Sequence, residues 1–211
     1  MTKTSLSAVL AVALTTTALA QPQRPPATGA LFRDGLVAAA VEQTRHRVTY
    51  DGSYRVIPYP NGDVPPDVGV CTDVVIRAYR AVGIDLQRLI HEDMRSAFSS
   101  YPALWGLKRP DRNIDHRRVP NLQTFLKRKG AELSRSSTAA DYRAGDLVTW
   151  MLPGNLPHIG LVSSTRASSG RLMMVHNIGR GPQLEDVLFD YRVTGHYRYL
   201  LGAGGSGLGA R

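Results

Sequence analysis

The chain contains a single cysteine, Cys71, and this residue opens the stretch CTDVVIRAYRAVG, which has helical periodicity. Apolar residues recur at three- and four-residue steps, and Gly83 is placed to end the helix. A thiol at the positive end of a helix ionises more readily, and thiolate is the nucleophilic form. The pattern predicts a nucleophile at Cys71, with an inert core cysteine as the alternative.

Two of the six histidines lie on predicted neighbouring strands, His158 at the start of one and His176 near the end of the next. A hairpin centred on Ala167 would place these two residues opposite each other, with Cβ atoms about 5 Å apart. One ring could then act as base for a cysteine nucleophile while the other orients it. A one-residue change of register would bring Asn177 opposite His158, so Asn177 is the alternative third residue.

The start of the chain has the pattern of a secretory signal peptide. Lys3 precedes an apolar, threonine-rich run, and Ala18 and Ala20 have the A-x-A spacing of a cleavage site. We therefore expect a signal peptide over 1–20, export to the periplasm or the exterior, and no transmembrane segment after cleavage. A lone cysteine outside the cytosol is buried, paired with another molecule, or kept as a reactive thiol.

The order of the periodic segments predicts an α+β domain in which N-terminal helices pack on a C-terminal antiparallel sheet. Helices are predicted over about 30–44, 69–83, 85–100 and 121–129. From Gly145 the period changes to two, which predicts a meander of the strands GDLVTWM, HIGLVSS, RLMMVHNI, VLFDYR and TGHYRYL. We expect one domain over 30–200, a flexible lead-in over 21–29 and a disordered tail over 201–211.

Two segments between the helices could contact a substrate. The first, 48–69, is rich in proline and carries three tyrosines that could line a cleft or pack on the core. The second concentrates cations that could hold a carboxylate or phosphate, or could simply be solvated: Lys108, Arg109, Arg112, Arg117 and Arg118. The candidate substrate-binding residues are Tyr50, Tyr54, Tyr59, Asp73 and Arg117.

In combination these motifs resemble those of NlpC-type papain-like cysteine peptidases. Cys71 opening a helix, the Gly-Asp strand start in AGDLVTW, the strand LPHIGLVS and then MVHNIG follow that superfamily's order. More closely, GVCTDVVIRAYR, NIDHRRVPNL, VHNIGRGPQLEDVLFDY and TGHYRY resemble a family of exported bacterial proteins classed as a domain of unknown function. This closer resemblance extends from about Phe32 to Leu200.

The resemblance implies a papain-like fold and a hydrolase that cuts peptide or amide bonds of peptidoglycan. It implies Cys71 as nucleophile, His158 as base and His176 as orienting residue, with no metal or cofactor. We expect the cysteine and its base to form a thiolate–imidazolium pair. The superfamily usually has Asp-Cys-Ser-Gly at the nucleophile, whereas this chain has Val70-Cys71-Thr72-Asp73, which leaves open the bond that is cut.

The charge balance indicates an anionic partner, because 26 Lys and Arg oppose 17 Asp and Glu. Peptidoglycan or another anionic cell-envelope polymer fits, and we expect a monomer without a nucleic-acid partner. Three alternatives are open: a zinc site at Cys71, His158 and His176 with His196 as a fourth ligand, a non-catalytic wall-binding or partner-binding module, and an acyltransferase using the same triad.

Overall fold

A computed structural model describes residues 28–200 of the chain. In this part of the chain the helices are α1 (Thr28–Glu42), α2 (Cys71–Ala81), α3 (Leu86–Ala97) and α4 (Val119–Arg128). The strands are β1 (Thr49–Tyr50), β2 (Val68–Gly69), β3 (Glu132–Leu133), β4 (Leu147–Leu152), β5 (Leu156–Arg166), β6 (Leu172–His176), β7 (Gln183–Glu185) and β8 (Arg192–Tyr197). Short 3-10 turns follow α1 and α3, precede α4 and lie ahead of β4.

Local end signals set the helix boundaries. Gly83 ends α2 with a φ of 84° and donates its N–H to the Arg80 carbonyl at 2.9 Å. The Asp85 carboxylate accepts the Arg88 N–H at 3.0 Å and so caps α3. Helix α1 begins at Thr28, two residues before the predicted helix start at 30 and shortly after the last proline-containing stretch. The predicted signal peptide and tail lie outside the described residues.

The larger sheet is antiparallel and has the strand order β3-β8-β4-β5-β6-β7, while β1 and β2 form a separate parallel pair. The prediction of an α+β domain with helices before an antiparallel sheet is confirmed. The simple meander is wrong, because β8 returns to the free edge of β4, where Leu147 pairs with Tyr197. The central strands of the sheet are therefore β4 and β5.

The predicted strand VLFDYR is also wrong. Residues 187–190 form a turn, and the short strand β7 lies upstream of it. The cause is Leu188, which is buried and whose carbonyl accepts the Trp150 indole N–H at 3.0 Å. An apolar segment thus fills the core as a turn instead of extending the sheet.

The helices cover one face of the sheet and form the larger core. This core holds the apolar faces of α1, α2 and α4 against Ile159, Leu161 and Val175 of β5 and β6. A smaller cluster around Trp150 and Met174 lies on the other face. Cys71 belongs to the larger core and lies where α2 begins against β5. Within residues 28–200, no helix combines the length and the apolarity that crossing a membrane requires.

Candidate active site

Cys71 is the first residue of α2, and the backbone around it is fixed by its own helix turn. The Asp73 carboxylate accepts the Val70 N–H at 2.7 Å, which supplies a partner for an otherwise free amide at the helix start. Only 4% of Cys71 is exposed. Its sulfur is approached by the backbone N–H groups of Thr72 and Ile159, and of Cys71 itself. Since Ile159 directly follows His158, the thiol lies beside the backbone of the predicted base. The His158 imidazole itself packs on Trp150 and bonds to His176, and it forms no hydrogen bond with the sulfur in the described part of the chain.

Burial determines the protonation state of this thiol. Removal from water raises the pKa of Cys71 to about 11, and the nearby Asp73 adds to the effect. The backbone N–H groups lower the pKa but do not outweigh burial. Burial also lowers the pKa of His158 to about 3, and charge repulsion from His176 acts in the same direction. The predicted thiolate–imidazolium pair is therefore wrong for the resting site, which holds a neutral thiol and a neutral imidazole.

His158 and His176 are joined by a hydrogen bond, although the predicted hairpin register is wrong. Nε2 of His158 lies 2.9 Å from Nδ1 of His176. The strands pair Leu161 with Val175, a shift of two residues from the prediction, because an irregularity between Val162 and Arg166 alters the hairpin. The two histidines are diagonal neighbours, and a two-residue shift keeps both side chains on the face that the prediction gave them.

Gly160 and Trp150 set the space around the imidazoles. A Cβ atom at Gly160 would lie 3.0 Å from the His176 Cβ and 3.1 Å from the Trp150 ring. The Trp150 ring packs against both imidazoles, with centroid distances of 5.8 Å to His158 and 6.2 Å to His176. The glycine of the His-x-Gly motif thus gives His176 room to approach, while the indole excludes water from both rings.

Glu185 extends the hydrogen-bonded pair of His158 and His176 to a series of three side chains. The sequence does not predict it as a site residue. On β7, its carboxylate lies 3.0 Å from Nε2 of His176. A carboxylate only accepts, so Nε2 of His176 carries a proton and its Nδ1 accepts from Nε2 of His158. We therefore assign a tautomer in which Nδ1 of His158 has a free lone pair. The signal in the sequence is slight, since β7 is three residues long and was not predicted.

Asn177, the alternative third residue, points elsewhere. Its side-chain amide donates to the Gly69 carbonyl at 3.3 Å, and its oxygen accepts the Gly179 N–H at 3.0 Å. Gly69 is two residues before Cys71, so this contact anchors the backbone that enters α2. The structure therefore places His176, and not Asn177, next to His158. Asn177 instead holds the backbone at Gly69, two residues before the cysteine.

Tyr50 is the predicted substrate residue that reaches the thiol. Its hydroxyl lies near the Cys71 side chain, and burial, with smaller contributions from Cys71 and Asp73, raises the pKa of Tyr50 to about 12. The residue lies on β1, where it pairs with Gly69 of β2. Because 44% of Tyr50 is exposed, its ring forms the solvent side of the site while its hydroxyl faces the sulfur.

The substrate-binding prediction for Asp73 and Arg117 is wrong, because these residues bind each other inside the protein. Two guanidinium nitrogens of Arg117 donate to the Asp73 carboxylate, both at 2.9 Å. Arg117 also donates to the carbonyls of Asp51 and Ser53, at 3.2 and 3.3 Å. Both side chains are at most 3% exposed. The pair joins the start of α2 to the segment after Tyr50, so it positions the thiol and the tyrosine together.

The family model for a domain of unknown function, DUF1287, matches residues 37–199. The chain belongs to this family. The "Uncharacterized protein YijF" of Escherichia coli (strain K12) is 47% identical over 199 residues, which cover 91% of this chain and 95% of that protein. The predicted resemblance to a family classed as a domain of unknown function is confirmed.

Among solved structures, the "Structure of NlpC1 from Trichomonas vaginalis" superposes on this DUF1287 chain with a TM-score of 0.43 and 14% identity. The match covers 85% of this chain and 46% of that one, so the chain spans less than half the length of the solved protein.

The other two tyrosines of this DUF1287 protein lie further along the same loop. The Tyr54 hydroxyl accepts the side-chain N–H of Asn113 at 2.8 Å, and the ring borders a surface cavity. Tyr59 packs edge-on against His91, with centroids 5.2 Å apart. The structure brings Tyr50 to the thiol, leaves Tyr54 at a neighbouring cavity and uses Tyr59 as a packing residue.

The residues considered for zinc do not converge in the described part of the chain. His158 and His176 direct facing nitrogens at each other, and His196 lies in another buried cluster, with its Nε2 2.8 Å from the Asp146 carboxylate. Within residues 28–200, no group of three or more His, Cys, Asp and Glu side chains is placed to share a metal ion. The geometry is that of a hydrogen-bonded series, in which each imidazole orients the next.

Proposed function

We propose that this DUF1287 protein is an exported cysteine hydrolase that cuts peptide or amide bonds of peptidoglycan. The observation that carries the proposal is the series His158–His176–Glu185, whose tautomers present a free imidazole lone pair on the strand that also places its backbone against the Cys71 sulfur. Base, orienting group and carboxylate follow the logic by which nucleophilic enzymes activate a thiol. The basic composition supports an anionic wall polymer as substrate.

The first step forms an acyl-enzyme. The Cys71 sulfur attacks the carbonyl carbon of the scissile amide, and its proton passes to Nδ1 of His158 once the imidazole and the sulfur come into hydrogen-bond contact in the substrate complex. The new C–S bond leaves a negative charge on the former carbonyl oxygen. The His158 imidazolium then gives its proton to the leaving nitrogen, the C–N bond breaks, and a thioester remains on Cys71.

The second step returns the enzyme to its resting state. Water loses a proton to Nδ1 of His158 and attacks the thioester carbon. The C–S bond breaks, a carboxylic acid is released, and the proton held by His158 returns to the Cys71 sulfur. In both steps the positive charge on His158 is delocalised toward His176, and the Glu185 carboxylate stabilises it.

Two donors can stabilise the oxyanion. The Cys71 backbone N–H is at the free end of α2 and already faces the sulfur. The Tyr50 hydroxyl lies near the thiol and can donate when a carbonyl oxygen takes its place beside the sulfur. The exposed edge of the Tyr50 ring is the side from which a substrate enters.

Incubation of the purified protein with isolated peptidoglycan, followed by mass analysis of released fragments, tests the proposal. We expect fragments that are absent with Cys71→Ala and with His158→Ala. They should remain with a control that keeps the three site residues, such as Glu132→Gln, which changes an exposed glutamate on β3. A transferred acyl group in place of a hydrolysed one would identify an acyltransferase. Peptidoglycan binding without any Cys71-dependent product would favour the binding module.

A further inference from the structure

A surface cavity outside the thiol site is bordered by cations. It has a volume of about 690 Å³ and is formed by Tyr54 and His91 together with the loop 106–113. Lys108, Arg109 and Arg112 all contribute to its wall. One carboxylate, Asp111, is also present, and its Oδ1 accepts the Asn113 N–H of the same loop at 2.9 Å. The wall therefore has a surplus of positive charge.

The five cations of this basic loop divide into two groups. Arg117 pairs with Asp73, while Arg118 pairs with Asp115 at 3.1 Å and stacks on Trp105, so both already have structural partners. Lys108, Arg109 and Arg112 form no ion pair with any carboxylate among residues 28–200. The cavity thus gathers the three cations of this loop that have no ion-pair partner among the described residues, and one of them, Arg112, lies over the Tyr59 ring at 5.7 Å.

Other polar residues border the cavity. His91 has a buried Nδ1 without a hydrogen-bond partner among the described residues. The Tyr54 hydroxyl and the Asn113 amide are held in contact with each other, and the Asn113 oxygen also accepts the Ile57 N–H at 3.2 Å. Such fixed polar groups beside cations without ion-pair partners can orient an anionic ligand.

The cavity is also close to the thiol along the chain. Tyr54 is four residues from Tyr50, and four extended residues span at most about 14 Å. The Tyr50 hydroxyl lies near the Cys71 side chain. A peptide of about three or four residues, bound with its amide at the thiol, therefore has the length to place its far end in the cavity.

We propose that this cavity is a carboxylate-binding subsite, which holds the acidic groups of a peptide whose amide bond lies at Cys71. The assignment rests on the proposed function and adds the substrate's chemistry to it. Guanidinium groups match carboxylates in a planar, two-point geometry. Phosphate shares this chemistry, but the amide chemistry of the neighbouring thiol selects a carboxylate-bearing peptide over a phosphate polymer.

Binding of a soluble peptidoglycan stem peptide to the Cys71→Ala protein, measured by calorimetry, tests the subsite. We expect Arg109→Gln with Arg112→Gln to weaken binding about tenfold and to reduce its salt dependence. The exposed pair Arg135→Gln with Arg192→Gln removes the same charge elsewhere and should change binding less than about twofold. Amidation of the peptide's carboxylates should weaken binding as much as the cavity variants do. An oligophosphate of matched charge should bind more weakly than the unmodified peptide.

Several results would overturn the subsite. These are equal weakening by the two variant pairs, unchanged binding of the amidated peptide, tighter binding of the oligophosphate, and no binding of the free peptide at millimolar concentration. The proposed function fails separately: if the Cys71→Ala protein binds the peptide through the cavity but the wild-type protein releases no fragment, the subsite stands and hydrolysis does not. Conversely, cleavage with an unchanged KM in the cavity variant would support hydrolysis and exclude the subsite.

Discussion

Replacement of Glu185 by glutamine removes the charge at the end of the imidazole series while nearly preserving its shape. The carboxylate lies 3.0 Å from His176, whose ring centroid is 5.1 Å from that of His158. During attack by the thiol, the positive charge that forms on His158 is therefore stabilised from roughly 8 to 9 Å away. At an effective dielectric constant of about 20, a unit charge at that distance contributes about 2 kcal/mol.

Partial exposure of Glu185 reduces this contribution. Its side chain is 29% exposed, so solvent screening lowers the expected loss to about 1 to 2 kcal/mol. This corresponds to a fall in kcat of about 5- to 30-fold. The amide adds a second effect, because its NH2 group can donate to His176 Nε2 and reverse both tautomers. His158 would then carry its proton on Nδ1, and the loss of activity would exceed the loss caused by the missing charge alone.

Two measurements check these expectations in Glu185→Gln. The first is the rate of Cys71-dependent fragment release, compared with Glu132→Gln, which changes an exposed glutamate on β3. The second is the 15N spectrum of the imidazoles, which reports the tautomers even if no substrate is available. We expect His158 of the wild-type protein to be protonated at Nε2 and free at Nδ1. A protonated Nδ1 in the wild-type protein, or equal activity of the two glutamine variants, would refute the series.

Three further outcomes follow from the packing and protonation of the site. Gly160→Ala should lower the unfolding free energy by about 1 to 3 kcal/mol, measured by denaturation, and should displace His176, measured by imidazole spectra. An unchanged stability would contradict the close approach of His176 to Gly160. Arg117→Ala should cost about 3 to 5 kcal/mol by leaving a buried carboxylate unpaired, while Arg55→Ala, which breaks an exposed pair, should cost under about 1 kcal/mol. Alkylation of Cys71 by iodoacetamide should accelerate with rising pH up to its pKa of about 11, because only the thiolate reacts, whereas a rate plateau from about pH 6 would indicate an ion pair.

Features with local signals could be predicted from the sequence. The ends of α2 and α3 depend on Gly83 and Asp85, which act within one helical turn, and both predictions match the structure. The common face of His158 and His176 depends on the two-residue period of a strand. This period tolerates the two-residue error in register, which is why the two rings still meet.

Features that depend on distant contacts could not be predicted. Arg117 and Asp73 are 44 residues apart, and each taken alone has the appearance of a free charge near a cysteine. Glu185 reaches His176 only because β7 pairs with β6, and nothing in three residues of QLE specifies that pairing. The burial of Cys71 could not be predicted either. The pKa of this thiol depends on how deeply the sheet and Tyr50 cover the start of α2.

The neutral resting site makes Glu185 more important than it would be beside a preformed ion pair. A base whose pKa is about 3 is unprotonated over the whole physiological range, so it is always ready to accept a proton. It is also weak, because Trp150 and the strands keep water from the imidazolium that would form. Proton transfer from Cys71 therefore requires a compensating charge within the protein. Among the residues that the structure describes, the carboxylate that contacts this histidine series is Glu185.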